Sequence, residues 1–219
     1  SNRQNIPVKE VKHGLLIHGY QRTISLLIQQ AVILRLSQHY FPLREQFIQF
    51  TRLRMSLSAG LLSSDSLLAD QVSTLACFAC SGLFTSLEFK SIRKWRTGQT
   101  HLFDITTLSD HSARDRLHRN AFIMASAWGL ANEEKKAIEQ SNKLPAQLRG
   151  KKFTRKLAVA LGTSLILARK IYFTQPLSCP DTQKYLEQAS QILGLTDEKI
   201  EQVSSDSIQH CHLYCPLDA

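Results

Sequence analysis

The stretch Leu75–Phe89, LACFACSGLFTSLEF, decides how the rest of the chain is read. It is apolar on almost every side, with Asp70 and Gln71 ahead of it and the basic run KSIRKWR behind it. A helix that is hydrophobic all round belongs in the middle of a protein, with other helices on several of its faces. It is too short, and too polar in its second half, to cross a bilayer, which takes about 20 mostly apolar residues. Its small polar side chains Ser81, Thr85 and Ser86 are uncharged. None is a strong metal ligand or a general base near neutral pH.

Working outward, the breakers are few. The 219 residues contain nine Gly and six Pro, most of them between apolar runs, which favours helices over many short strands. Upstream, Val8, Val11, Leu15 and Leu16 recur at helical spacing and Gly19 suits a helix C-cap. From Tyr20 to Tyr40 a broad stripe runs through Ile24, Leu27, Ile28, Ala31, Leu34 and Leu36 until Pro42. Phe47, Phe50, Leu53, Leu57, Leu61 and Leu62 predict a third amphipathic helix, with Arg44, Arg52 and Arg54 on its wetter side. The SSDS at 63–66 reads as a loop that caps the central helix.

Downstream, periodicity fades between Lys90 and Ser112 and returns from Ser112 to Trp128, ending at Gly129. Asn132 is the expected cap of a short helix, EEKKAIEQ, whose Glu133 and Glu134 suit its N-terminal dipole. Leu144–Lys152 reads as a basic loop, and Phe153–Phe173 as a second strongly buried helix. After Pro176 and Pro180, Asp181 is expected to cap a helix to Gly194 and Thr196 to cap the last one, TDEKIEQVSS. The expectation is one all-α domain over 1–219, of eight or nine helices, with a tail at 207–219.

Hydrophobic content of 43% and charged content of 21% are those of a globular chain. The net charge of +9, from 27 Lys and Arg against 18 Asp and Glu, suits an anionic partner or simply a basic solvated face. Five Cys without a recognisable signal peptide point to a reducing cytoplasm and free thiols. Cys77 and Cys80 form a CxxC. A redox pair sits at a helix N-terminus beside polar groups, whereas this one is inside an apolar run and reads as core packing. His210, Cys211, His212 and Cys215 are zinc-type ligands, but adjacent ligands rarely reach one tetrahedral ion, so they read as a polar tail. No glycine-rich phosphate loop is present, and GTS at 162–164 is inside a helix. Two basic stretches, KSIRKWR and RGKKFTRK, each hold an aromatic beside cations. They give a candidate surface of Lys94, Arg96, Lys151, Lys152 and Arg155 for nucleic acid.

The segment ARDRLHRNAFIMASAWGLANEEKKAIEQSN resembles the later part of an HD-superfamily helical domain, through Trp128-Gly129-Leu130 and Ala137-Ile138. LAVALGTSLILARKI resembles the helix that follows, ACSGLFTSLEF the segment that carries "GLLHDIG", and PVKEVKHGLLIHGYQRTISLLI a helix pair of the HDOD subfamily. In catalytic members, His and Asp at such positions hold metal ions that activate water. Here the matching positions are Thr85, Ser86, Leu117, Ser141 and Asn142, with His118 one place from Leu117.

The resemblance therefore implies an HD-like multi-helix bundle with a degenerate site, no catalytic residue, no metal and no cofactor. The implied role is a non-enzymatic HDOD-like module of bacterial cytoplasmic signalling that works through protein partners. It also implies a preceding helical bundle, so the sequence reads as a fragment. The alternatives are an active HD-type phosphohydrolase using His111 and His118, and a nucleic-acid-binding helical domain.

Overall fold

A computed structural model describes residues 44–85, 111–173 and 180–211, together with Thr23, Leu27, Gln30 and Ala31. The described residues form seven α-helices and one short 3₁₀ turn, with no strand among them. The helices are α1 (Arg44–Leu61), α2 (Ser66–Thr85), α3 (His111–Ala127), α4 (Asn132–Gln140), α5 (Lys152–Phe173), α6 (Pro180–Leu193) and α7 (Asp197–His210); the turn is Pro145–Gln147. The expected helix over Ile6–Gly19, the aperiodic connection over 90–110 and Pro176 lie outside the described residues. So does most of the stripe from Tyr20 to Tyr40, of which Thr23, Leu27, Gln30 and Ala31 are helical.

The core is built on α2 and α5. Leu75 to Cys80 are buried without interruption, so α2 has no wet face at its centre and packs against α1, α3, α4 and α5. In α5, Leu157 to Ser164 are likewise all buried, and the helix touches α1, α2, α4 and α6. Helix α1 lies against both, burying Phe50, Leu53, Leu57 and Leu61. Its outer face receives α7, where Val203 seats against Gly60 and Ser56 donates a hydrogen bond to the Ser207 hydroxyl at 3.1 Å. Phe50 meets Tyr172 edge-on at 5.8 Å, closing the contact between α1 and the end of α5.

Local chemistry accounts for the helix ends. Asp65 caps α2 by accepting from the Leu68 N–H at 3.2 Å, and Thr196 caps α7 by accepting from Lys199 N–H at 3.3 Å. Helix α3 stops at Gly129, whose φ of 74° few side chains tolerate. There the Leu130 N–H reaches back to the Ala125 carbonyl at 3.0 Å in a Schellman closure. Gly194 ends α6 in the same way, with φ 69° and Leu195 N–H on the Ser190 carbonyl.

Five details differ from the reading of the sequence. Arg54 is not on the wet side of α1 but in the core, 2% exposed. The cap of α4 is Ala131, with Asn132 already helical. The Glu134 carboxylate accepts the Ala131 N–H at 2.9 Å, so an acid in the first turn supplies the bond that a capping side chain would have made. Pro180 opens α6, placing Asp181 inside the helix; proline suits a first turn, where its missing N–H has no intrahelical partner. The stretch Leu144–Lys152 is partly ordered by the 3₁₀ turn, which packs on α6 through a hydrogen bond from Ala146 N–H to Gln188 Oε1 at 3.1 Å. The last helix runs on to His210, with Ser207 buried against α1.

Candidate functional site

Of the positions singled out by the HD resemblance, Ser141 and Asn142 fall where α4 ends. Ser141 is 4% exposed and its hydroxyl donates to the Ile138 carbonyl at 2.8 Å, one turn back in its own helix. The Oδ1 of Asn142 is buried and accepts no hydrogen bond. Thr85 is the last residue of α2, but its side chain, Ser86, and the side chains of Leu117, His111 and His118 lie outside the described residues. A serine turned into its own helix and a neutral amide offer no anionic donor, and hard divalent cations are held mainly by carboxylates and other oxygens in sets of six or more. These two residues do not fit such an ion. Among the described residues no group of three or more His, Cys, Asp or Glu side chains is placed to share a metal.

The carbonyl of Ser141 is nevertheless part of a buried polar meeting point. A methyl group at Gly162 of α5 would come within 2.6 Å of it and overlap the hydroxyl of Tyr185 from α6. That hydroxyl faces the Val159 carbonyl at 3.4 Å, and burial pushes its pKa well above the usual phenol value, offset in part by the nearby Arg54 cation. Arg54 reaches across from α1 and donates through Nη2 to the Leu161 carbonyl at 3.3 Å and through Nη1 to Cys80 Sγ at 3.6 Å. Four helices (α1, α4, α5 and α6) therefore converge on Gly162. The CxxC belongs to this interior: Cys77 and Cys80 are fully buried free thiols. Burial, and to a lesser degree the neighbouring Cys80, drive the Cys77 pKa far above that of a free thiol. Such a thiol is a poor nucleophile.

Two surfaces remain. A groove of about 950 Å³ opens between α1, the first half of α2 and α7, and Gln30 also lines it. Its charges balance, Arg52 and Lys199 against Asp70 and Asp206, with several serines between. His210 and Cys211 line this groove, whereas His212 and Cys215 are outside the described residues.

The second surface is the α3–α4 corner and the start of α5. Trp128 is 44% exposed there and packs edge-on against Phe78 of α2 at 5.9 Å. Lys135 lies over the Phe122 ring, 5.8 Å from its centre. Glu133, in the first turn of α4, accepts the Thr154 hydroxyl of α5 at 2.6 Å and pairs with Lys136 at 3.9 Å and Lys151 at 3.7 Å. Lys151 and Lys152 are exposed and Arg155 half-buried, so the structure gathers this part of the candidate basic surface at one helix start; Lys94 and Arg96 are outside the described residues.

Reasoning from sequence missed Arg54 and Tyr185. Spacing carried a signal for Arg54, which follows Phe50 by four residues and precedes Leu57 by three, on the buried face. Tyr185 likewise sits four residues before the buried Ala189. No family model, curated protein or solved structure matches this chain.

Proposed function

We propose that this chain is a non-enzymatic, HDOD-like regulatory module of a bacterial cytoplasmic signalling pathway, acting by binding a protein partner. The observation that carries the reading is the chemistry at the end of α4. The resemblance places catalytic ligands at Ser141 and Asn142, yet one is a hydroxyl committed to its own helix and the other a neutral amide whose oxygen is buried. The scaffold around them is tightly filled, from Ile138 through Leu161 to Tyr185. A helical scaffold that keeps its core while its ligand positions are neutral suits recognition better than hydrolysis. Consistent with a role away from the bilayer interior, no helix among the described residues is long and apolar enough to cross a membrane.

The test is metal content by mass spectrometry together with hydrolysis of a chromogenic phosphodiester in added manganese. A protein purified without stoichiometric manganese, iron or zinc, and without turnover, is expected. One that holds such an ion and hydrolyses the ester is an HD-type phosphohydrolase instead, and alanine at His111 and His118 would then abolish turnover.

A further inference from the structure

The α3–α4 corner combines exposed apolar side chains with a local excess of positive charge. Ile123 is 54% and Trp128 44% exposed, on and just beyond the end of α3. Exposed tryptophan is uncommon on a surface and frequent at the centre of binding faces. The connector after Trp128 leads within a few residues into the first turn of α4, where Glu133 ties that helix to the start of α5.

The two acids in the first turn of α4 are already engaged. Glu133 is held by Thr154, Lys136 and Lys151, and Glu134 by the Ala131 N–H. Left over are Lys152, Arg155 and Lys156, none of which has an ion pair among the described residues. The first turn of α5 contains no acid and opens on a lysine, the reverse of what a helix dipole favours. Residues 143–156 hold six Lys and Arg and no acid. This excess positive charge is complementary to an anion.

We infer that this face docks an acidic segment of a protein partner, one of whose apolar side chains seats against Trp128. The inference rests on the reading of the chain as a protein-binding module and names the chemistry of what it binds. Acidic side chains would meet Lys152, Arg155 and Lys156, while aliphatic or aromatic residues cover the indole and Ile123. Nucleic acid fits less well. A base could stack on the indole, but Ile123 beside it offers no second stacking surface and suits an aliphatic contact.

The experiment uses the full chain carrying Trp95→Phe, so that Trp128 is its only indole. The probes are a short glutamate peptide with leucine at every fourth position, the same peptide without leucines, and an oligothymidylate. The leucine-bearing peptide is expected to shift Trp128 emission to the blue and to bind about tenfold more tightly than its leucine-free control. Raising salt from about 0.05 to about 0.3 M should weaken it severalfold. Lys152→Glu and Ile123→Ser, both confined to exposed positions, should each weaken it about tenfold with the helical circular dichroism unchanged. In Trp128→Ala, read by anisotropy of a labelled peptide, the advantage of the leucines should vanish.

Equal binding of the two peptides, indifference to all three variants, or tighter binding of the oligothymidylate overturns the proposal. Metal content and phosphodiester turnover, measured on the same preparation, report separately on the non-enzymatic reading. A metal-free, inactive protein that ignores the peptide sinks only the acidic-segment proposal.

Discussion

The Nη2 of Arg54 donates to the main-chain carbonyl of Leu161, 3.3 Å away across the interface between α1 and α5. That carbonyl also accepts the Ser164 hydroxyl at 2.9 Å, so a point in the middle of a buried helix is polarised by two extra donors. A guanidinium carries its charge throughout the range in which proteins fold. Here it does so in the core, with Nε unbonded and no carboxylate paired with it among the described residues. Desolvating such an ion costs several kcal/mol, and two hydrogen bonds to neutral acceptors offset only part of that.

The consequence is an asymmetry between two substitutions. Arg54→Ala empties a space bounded by α1, α2 and α5 and should lower stability by about 2–5 kcal/mol, as large-to-small core changes do. Arg54→Met fills most of that space, removes the buried charge and leaves no partner carboxylate stranded. It should fall within about 1.5 kcal/mol of the parent or exceed it. Urea unfolding midpoints at constant slope decide the matter. A methionine variant as unstable as the alanine one would mean that the cation itself holds the helices together.

How much of this was legible in the sequence turns on the same residue. The continuous apolar runs of α2 and α5 announced two buried helices, because no polar side chain long enough to reach water interrupts them. The cap at Thr196 and the stop at Gly129 were readable because each depends on a local residue type. Arg54 was misplaced because residue type was weighed above spacing: Phe50, Arg54, Leu57 and Leu61 share one face, and that face is buried. The starts of α4 and α6 were each misplaced by a residue or so, since Glu134 and Pro180 did the work assigned to Asn132 and Asp181. Tyr185 over Gly162 was not legible at all. The contact joins helices whose relative placement no local pattern encodes.

Two glycines mark close approaches of different kinds. A methyl at Gly60 would lie 2.6 Å from Val203 Cγ1, a side chain that can be trimmed. Gly60→Ala should therefore cost about 1–3 kcal/mol alone and little in a Val203→Ala background, where alanine's better helix propensity reasserts itself. A methyl at Gly162 meets the Ser141 carbonyl oxygen at 2.6 Å and Tyr185 Cζ at 2.7 Å. Removing the hydroxyl with Tyr185→Phe leaves both obstacles in place, so Gly162→Ala should stay destabilising in that background. A double-mutant cycle on thermal unfolding measures both couplings.

Buried acids that stay protonated make stability fall with rising pH. The Cys77 thiol is raised from its ordinary 9.0 by burial and then by Cys80, and the Tyr185 phenol is raised from 10.0 by burial. In the unfolded chain these groups lose their protons near those ordinary values, while in the folded protein they keep them. Their contribution is intact below about pH 9 and declines above it, by about 1.4 kcal/mol per pH unit for each group that titrates only when unfolded. Cys77→Ala should flatten the first part of that decline in urea unfolding at stepped pH. In a Cys179→Ser/Cys215→Ser background, a thiol reagent near pH 8 should modify half-buried Cys211 slowly in the native state. Cys77 and Cys80 should react only on unfolding, and prompt reaction of either would contradict their burial.

Glu133 titrates in the opposite sense. Its carboxyl is held below the usual value chiefly by the Thr154 hydroxyl; desolvation opposes that, and Lys136 and Lys151 each add a smaller lowering. Because the folded-state pKa is depressed, its contribution is present above the unfolded value near 4.5 and is lost as the pH falls through the folded one. The order of causes separates two experiments. Screening with salt weakens the lysine attractions but not a hydrogen bond to a buried hydroxyl. Carboxyl resonances followed by NMR should therefore show Glu133 moving toward its ordinary pKa more in Thr154→Val than in high salt. If salt alone restored the ordinary value, the link between α4 and α5 would be an ion pair at the surface. Lys136 and Lys151 would then be held by their own chain through charge alone, leaving Lys152, Arg155 and Lys156 to meet an acidic partner.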